Sequence, residues 1–360
     1  MADASRSRLA YIDWARGLAV LLMIGAHVTD AWTRPLSRHG AVFRDVVILG
    51  GFAAPLFLWL AGLAVVLAAT RAVSVQGRAL GRAEAVKAIC RRGLEIFILA
   101  FLFRFQAFVV TPGSYLVSVF HVDILNIMGP AIALTALIWG MSRTMGGAVA
   151  LYAMAATAMA MATPIVRESA AVDVLPIWAQ WYVRPSGDHA TFTMFPWAGF
   201  VFAGGACGAL IAGMRSDAEE RRLQAALGLV GIALVALGFL AASRPSIYRA
   251  SSFWTSSPTW FLIRVGVLMA ALAVLYACSR LVGRDVGGDW LSILGRNSLF
   301  VYWIHVELVY GYLAWPVHGR LPLWGTACGF VLFSALMYRA IDVRDWVLDR
   351  WRSRFHHIFA

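Results

Sequence analysis

Long apolar stretches separated by short polar segments run along almost the whole chain. About 20 apolar residues in a helix cross the hydrocarbon core of a bilayer, so each stretch predicts one transmembrane helix. The ten stretches occupy residues 11–31, 46–69, 93–110, 120–141, 146–165, 192–213, 223–242, 259–280, 297–315 and 322–341. An eleventh helix, re-entrant or lying on the membrane surface, fits within 166–191, where Trp178, Trp181 and Tyr182 are typical interface residues.

This pattern predicts an all-α, polytopic integral membrane protein with ten, or eleven, transmembrane helices. No long linker, low-complexity tract or internal repeat interrupts it, so we expect a single transmembrane domain over residues 1–360. Within the sixth stretch, Gly204, Gly205 and Gly208 indicate close packing between helices rather than a phosphate-binding loop.

The first stretch differs from the others because its polar side chains share one face. At about 100° per residue, the positions within an arc of roughly 100° are Asp13, Arg16, Val20, Met23, His27 and Asp30. Arg16 and His27 lie roughly 16 Å apart along such a helix. Because the stretch carries Asp13 and Arg16 and no small-residue cleavage site follows it, we expect a retained span and not a removed signal peptide.

Composition supports the membrane class, since 61% of the residues are apolar and 14% are charged. The net charge of +12 would suggest nucleic acid binding in a soluble protein, but Arg and Lys also collect in the cytoplasmic loops of membrane proteins. With the N-terminus inside, the inner segments hold 20 Arg and Lys and the outer loops eight. We expect no nucleic acid partner, a multi-pass protein of the cell (inner) membrane, and both termini in the cytoplasm.

The four cysteines, Cys90, Cys207, Cys278 and Cys328, have no short spacing. Their scatter argues against a disulfide scaffold or a zinc site. We therefore expect no metal in this protein.

Ionisable groups inside the membrane are costly, at about 2.5–3.5 kcal/mol near the bilayer centre, so each is a candidate for function. In the predicted orientation they form two layers. The outer layer contains His27, Asp30, Arg104, Gln106, His121, Asp123, Asn126, Trp197, Arg264, Tyr302, His305 and Glu307. The inner layer contains Arg16, Arg91, Arg92, Arg296 and Asn297. Its positive sign suits a polyanionic ligand that enters from the cytoplasm.

Structural roles remain open for these groups. An Asp13–Arg16 ion pair would orient the first helix without any chemistry, and both His27 and His305 could be buried histidines bonded to a neighbouring helix. Anchoring of a helix end at the cytoplasmic membrane surface would account for Arg91 and Arg92. Capping or interhelical bonding accounts for His121 and Asp123. The coincidence of Arg16, His27 and Asp30 on one face favours function.

Four motifs resemble those of a known superfamily. The stretch YIDWARGLAVLLMIGAH, residues 11–27, is similar to the first helix of the transmembrane acyltransferase superfamily, which includes the acyltransferase-three family. GGFAAPLFLWLAG (Gly50–Gly62) resembles the second helix of those proteins. FPWAGFVFAGGACG (Phe195–Gly208) and LGRNSLFVYWIH (Leu294–His305) resemble motifs of the heparan-α-glucosaminide N-acetyltransferase branch.

The resemblance implies an enzyme that takes an acyl group, usually acetyl, from acyl-CoA at the cytoplasmic side. The acceptor is a sugar hydroxyl or amine on the other side of the membrane. The family's catalytic histidine falls on His27 and its arginine on Arg16, while His305 is carried over from the ninth-span motif. We expect no luminal N-terminal domain and only short outer loops, and therefore do not expect heparan sulfate itself to be the acceptor. We expect an envelope glycan or glycolipid instead.

The residues themselves agree with such a mechanism. Cations at the inner end and a histidine roughly 16 Å further out match a donor with phosphates at one end and a thioester at the other. The donor-binding candidates are Arg16, Arg91, Arg92, Arg296 and Asn297. His27 is the candidate general base, and Asp30, Asp123 or His305 would orient it. The candidates for acceptor binding are His121, Asn126, Trp197, Arg104, Arg264 and Tyr302.

Several alternatives stay open at this point. Direct transfer and transfer through an acyl-histidine are both compatible with the sequence. A transporter or flippase of an amphiphilic envelope solute would use the same polar face as a pathway, although the chain lacks the paired helix interruptions typical of transporters. A non-catalytic partner in envelope assembly is the third reading. The lipid bilayer is an expected partner in every case, and a homodimer remains open.

Overall fold

The computed structural model describes residues 9–74, 81–110, 115–282 and 289–355. These residues form thirteen α-helices joined by short turns and 3₁₀ segments. The helices are α1 (Ala10–Trp32), α2 (Ala41–Gly50), α3 (Ala53–Ser74), α4 (Arg82–Val110), α5 (Ile124–Met141), α6 (Met145–Glu168), α7 (Ile177–Val183), α8 (Met194–Ala212), α9 (Asp217–Ala242), α10 (Pro258–Leu281), α11 (Asp289–Arg296), α12 (Ser298–Tyr310) and α13 (Leu323–Phe355). Arg6, Arg8, Arg78 and Arg284, which contribute to the predicted charge asymmetry, lie outside the described residues.

Helices that are long and apolar enough to cross a membrane occur nine times in the described ranges. The predicted all-α, polytopic membrane fold is therefore confirmed, and every predicted span contains a helix. The ninth span is shorter than predicted, because α12 begins only after Asn297 and ends at Tyr310. Its 13 residues extend about 20 Å.

The segment 166–191 contains two 3₁₀ turns and the seven-residue α7 in place of a long helix. Trp178 is 62% exposed, together with Ile177 beside it. Trp181 is buried, so the expectation of an interface position is wrong for this tryptophan. It packs instead against His189 from the following turn, with ring centroids 4.7 Å apart.

The described helices fall into two compact units. The first unit contains α1, α2 and α11–α13, from the described parts of Met1–Ala53 and Leu281–Ala360. In it the backbones of α1 and α11 touch, since a Cβ at Gly17 would overlap the carbonyl oxygen of Leu291, and one at Gly295 would overlap that of Asp13. The end of α1 is also pinned to the start of α13, because Leu321 N–H donates to the Trp32 carbonyl at 2.9 Å.

The second unit contains most of α3 and α4, and α5–α10. Its centre is the contact of α8 with α3 and α6, where small residues bring the helices together. A Cβ at Gly204 would overlap the carbonyl oxygen of Trp59, and one at Gly208 would lie 2.7 Å from that of Leu63. The glycines of the sixth predicted span therefore serve close helix packing, as their pattern predicts.

Candidate active site

His27 lies on the face of α1 that carries the polar residues of this helix. It is half-buried, while its neighbours Val28 and Ile24 are fully buried in the first unit. Because α1 is held by its contacts with α11, α12 and α13, the rotation of the helix is fixed, and the imidazole points towards α12. The apolar residues around His27 on α1 pack into the first unit, and their packing sets the direction of the His27 side chain.

The partner of His27 is His305 on α12. His27 Nδ1 lies 2.8 Å from His305 Nε2, and the ring planes are parallel within 4° with centroids 5.0 Å apart. These two distances together require the rings to meet edge to edge in nearly one plane, which is the geometry of a hydrogen bond along in-plane lone pairs. His305 is fully buried, so this bond satisfies a polar atom that water does not reach.

The second ring nitrogen of His305 is bonded to the backbone of its own helix. His305 Nδ1 lies 2.9 Å from the Val301 carbonyl oxygen and 2.9 Å from that of Tyr302. The Tyr302 ring is tilted against His305 at a centroid distance of 5.9 Å. Tyr302, predicted to bind acceptor, therefore lies beside the histidine pair.

Asp30 is one turn beyond His27 and is engaged by a different group. The Tyr310 hydroxyl donates to Asp30 Oδ2 at 2.8 Å, and the Tyr310 ring meets His27 edge-on at a centroid distance of 5.7 Å. Arg38 Nη2 also donates to the Asp30 backbone carbonyl at 2.6 Å. Tyr310 was not among the predicted residues, because an aromatic residue at a helix end is equally typical of the interface belt.

Three of the residues predicted to bind the donor, Arg16, Arg296 and Asn297, lie in the first unit. Arg16 Nη1 lies 3.3 Å from Asp13 Oδ1, and the Arg296 side chain is exposed. Asn297 Oδ1 accepts a 2.7 Å hydrogen bond from Arg344 of α13. Arg344 was not predicted, since anchoring alone explains a cation in a segment that is expected to face the cytoplasm.

In the second unit, Arg91 and Arg92 are exposed and pair with Glu95, at 3.4 Å and 3.1 Å respectively. Such i, i+3 and i, i+4 pairs are typical of a solvated helix face. For these two arginines the structure provides no feature beyond the anchoring role.

Asp123 is part of a structural network in the second unit. It forms an ion pair with Arg104, with an N···O distance of 2.5 Å, and it makes a capping box at the start of α5 with Asn126. Burial raises the pKa of the nearby Tyr182 phenol above its ordinary value, while a hydrogen bond with Asn126 acts in the opposite direction. The ion pair balances the charges of Arg104 and Asp123, and the capping box provides acceptors for backbone N–H groups at the start of α5.

His121 has a histidine partner of its own. Its Nε2 lies 3.0 Å from Nδ1 of His189, and Val122 N–H donates to the His189 carbonyl at 2.9 Å. These bonds fix the segment before α8 to the segment before α5. His189 was not predicted, because nothing in the sequence relates it to a residue 68 positions away.

Trp197 and Arg264 belong to an aromatic cluster of the second unit. The Trp197 ring meets Trp260 edge-on at 5.7 Å, and the Arg264 guanidinium lies over Trp260 at 4.5 Å. Arg264 is buried, so the cation–π contact compensates part of the cost of placing its charge among apolar groups. Both residues therefore contact the same indole ring.

The long apolar helices, together with a histidine pair of which His305 is fully buried, define a polytopic membrane protein with a site suited to acid–base chemistry. The chain belongs to the family described as "Heparan-alpha-glucosaminide N-acetyltransferase, catalytic", whose sequence model matches residues 8–248. The protein is thus a membrane acetyltransferase, and the resemblance seen in its motifs is confirmed. A comparison with curated proteins finds no significant match.

The matched range contains His27, Asp30 and Arg16 but ends before α10. Four residues of the first unit lie beyond the matched range, so their contacts rest on the structure of this chain: His305, Tyr310, Asn297 and Arg344. In the described ranges no three His, Cys, Asp or Glu side chains come together as a metal site would require.

Proposed function

We propose that the protein transfers an acetyl group from acetyl-CoA, or another acyl group from its CoA thioester, to a sugar hydroxyl or amine. The observation that carries this proposal is the hydrogen bond between His27 and His305 within a chain of the acetyltransferase family. An imidazole held in this way suits general base catalysis, because its ordinary pKa lies near the working pH.

In the proposed step, the acceptor O–H or N–H loses its proton to His27 while the acceptor atom attacks the thioester carbonyl. The C–O or C–N bond forms and the C–S bond breaks. The CoA thiolate leaves and recovers the proton from His27. A route through an acyl-imidazole at His27 uses the same residue in two steps.

The donor would lie along α1, with its phosphates at the inner end. Arg16 and the exposed Arg296 are candidate cations of the first unit, and Arg344 is a further candidate through its bond to Asn297. Arginine suits phosphate because its planar guanidinium donates two parallel hydrogen bonds. The roughly 16 Å of helix between Arg16 and His27 accommodates an extended arm between phosphate and thioester.

We further propose that the protein resides in the cell (inner) membrane with both termini in the cytoplasm. The donor then enters from the cytoplasm and the acceptor, an envelope glycan or glycolipid, from the outer side. The support for this orientation is the excess of Arg and Lys in the segments assigned to the inside.

The test is transfer of radiolabelled acetyl from acetyl-CoA to envelope glycans by the purified, membrane-reconstituted protein. His27→Ala should reduce the initial rate about 10²–10⁴-fold, which is the usual contribution of a general base. The matched control is His39→Ala, because His39 is exposed in the turn after α1 and its loss should leave the rate unchanged.

Near-normal transfer by the His27→Ala protein would overturn the assignment of the base. Absence of label transfer by the wild type with every acceptor, combined with movement of a labelled glycolipid across the membrane, would replace the enzyme by a flippase.

A further inference from the structure

We propose that His305 is a positioning residue that fixes the tautomer of His27, so that the free lone pair of His27 is on Nε2. This inference rests on the proposed function, since it names the atom that would accept the proton. It follows from the order of donors and acceptors along one chain of hydrogen bonds.

The first step concerns His305 Nδ1. Its two neighbours are the backbone carbonyl oxygens of Val301 and Tyr302, each at 2.9 Å. A carbonyl oxygen only accepts hydrogen bonds, so Nδ1 of His305 must carry a hydrogen. The tautomer with a bare Nδ1 is disfavoured, because the lone pair of Nδ1 would then face the lone pairs of the carbonyl oxygens.

The second step concerns His305 Nε2. Full burial of this side chain disfavours a charged ring, since an imidazolium away from water carries a large desolvation cost. A neutral imidazole protonated at Nδ1 has a lone pair at Nε2. This atom faces His27 Nδ1 at 2.8 Å and can only accept.

The third step follows for His27. Its Nδ1 must donate to His305, so the hydrogen of the neutral ring is on Nδ1 and Nε2 is bare. The two carbonyl groups of α12 therefore decide the tautomer of a residue on α1. The Tyr310 ring lies beside His27 at a centroid distance of 5.7 Å.

The arrangement resembles in logic a catalytic triad, in which a third group orients the base. Here that group is neutral. When His27 takes a proton on Nε2, its Nδ1–H becomes a charged donor, and the bond to His305 strengthens as charge develops. The pair thus stabilises the imidazolium without a carboxylate in direct contact with it.

The kinetic test compares two substitutions. His305→Gln keeps an acceptor for His27 and an N–H for the helix carbonyls, whereas His305→Leu keeps neither. We expect the Leu protein to lose about 10²-fold or more in kcat with KM for acetyl-CoA within about twofold, because orientation of the base acts in the transition state. The Gln protein should recover to within about tenfold of the wild type.

His318→Leu is the control, because this histidine is exposed and stacks on Trp315 in the same unit. Equal losses in the Gln and Leu proteins, with both eluting as folded monodisperse species, would contradict a role in orientation.

A second readout does not depend on catalysis. In ¹⁵N-histidine-labelled protein, the His27 signals are identified by their loss in His27→Ala. The wild type should show a protonated Nδ1 and a bare Nε2, and the Leu protein should shift towards a mixture. If the wild type shows a protonated Nε2 at His27, the tautomer assignment is wrong even when transfer is normal. If the tautomer is as proposed but no acetyl is transferred, only the proposed function fails.

Discussion

At the scale of single residues, three polar pairs each join two different elements of the described structure. His27 bonds to His305, Asp30 to Tyr310, and Arg104 to Asp123. Because a polar group without a partner is costly among apolar helices, each pair links function or stability to the correct approach of two elements.

The Arg104–Asp123 pair allows a direct test of this coupling. Both side chains are mostly buried, with 22% and 17% exposed, so removing one partner leaves an uncompensated charge. Arg104→Met should lower the free energy of unfolding by about 3–5 kcal/mol, measured by denaturation in detergent. The double variant Arg104→Met/Asp123→Asn should recover at least half of that loss.

Arg91→Met provides the matched control for this experiment, because Arg91 is exposed in its pair with Glu95 on the same helix. Its effect should stay below about 0.5 kcal/mol. A double variant no more stable than the single one would show that the charge of Asp123 does not cause the loss.

For single residues, the sequence predicts which side chains share a helix face but not which residue on another helix each one meets. The polar face of α1 could be predicted, since helical periodicity places Arg16, His27 and Asp30 together without knowledge of any other element. The partner of His27 could not be selected, because His305 is 278 positions away and three candidates had suitable chemistry. Periodicity describes one helix at a time, and pairing depends on packing.

At the scale of elements, the position of α1 depends on its backbone contact with α11. Glycine at position 17 permits it, because any Cβ there would overlap the Leu291 carbonyl. The sequence shows a glycine in the first span, but a glycine alone does not reveal which helix will approach it.

Gly17→Ala should therefore prevent the correct approach of α11 and α12 to α1. We expect a loss of about 1–3 kcal/mol or more, as for overpacking in general, together with loss of the His27–His305 bond. Gly25→Ala is the matched control on the same helix, since a Cβ there would meet Phe330 at an ordinary 3.5 Å. Fluorescence-detected size exclusion after heating measures the melting temperature of both variants.

If Gly17→Ala melts with the wild type while Gly25→Ala melts earlier, the contact between α1 and α11 is not the one that limits stability.

The ends of the helices also depend on more than hydropathy. The ninth span was predicted as 297–315, but α12 ends at Tyr310, because Gly311 adopts an extended conformation that hydropathy does not record.

At the scale of the whole molecule, hydropathy was sufficient to predict the class. Each of the ten apolar stretches contains a helix, since the bilayer permits few alternatives for a long apolar segment. The division of the described residues into two units could not be predicted in the same way, because it depends on which helices touch and not on how apolar they are.

Orientation is the prediction that belongs to this scale. Single cysteines at Ser246 and Ser216, introduced into a cysteine-free variant, should differ in their reaction with a membrane-impermeant maleimide. Because 20 of the Arg and Lys lie in the segments assigned to the inside, Ser246→Cys should react in intact cells and Ser216→Cys only after permeabilisation. The reverse pattern would place the arginines of the inner layer on the outer side.

The first unit joins the beginning of the chain to its end, since α1 packs with α11, α12 and α13. The two members of the histidine pair are therefore synthesised far apart in time. At about 5–20 residues per second, the 278 positions between them correspond to roughly 15–60 seconds of translation. During this interval α1 holds His27 and Arg16 before α12 exists, so the histidine pair can form only after α12 has been synthesised.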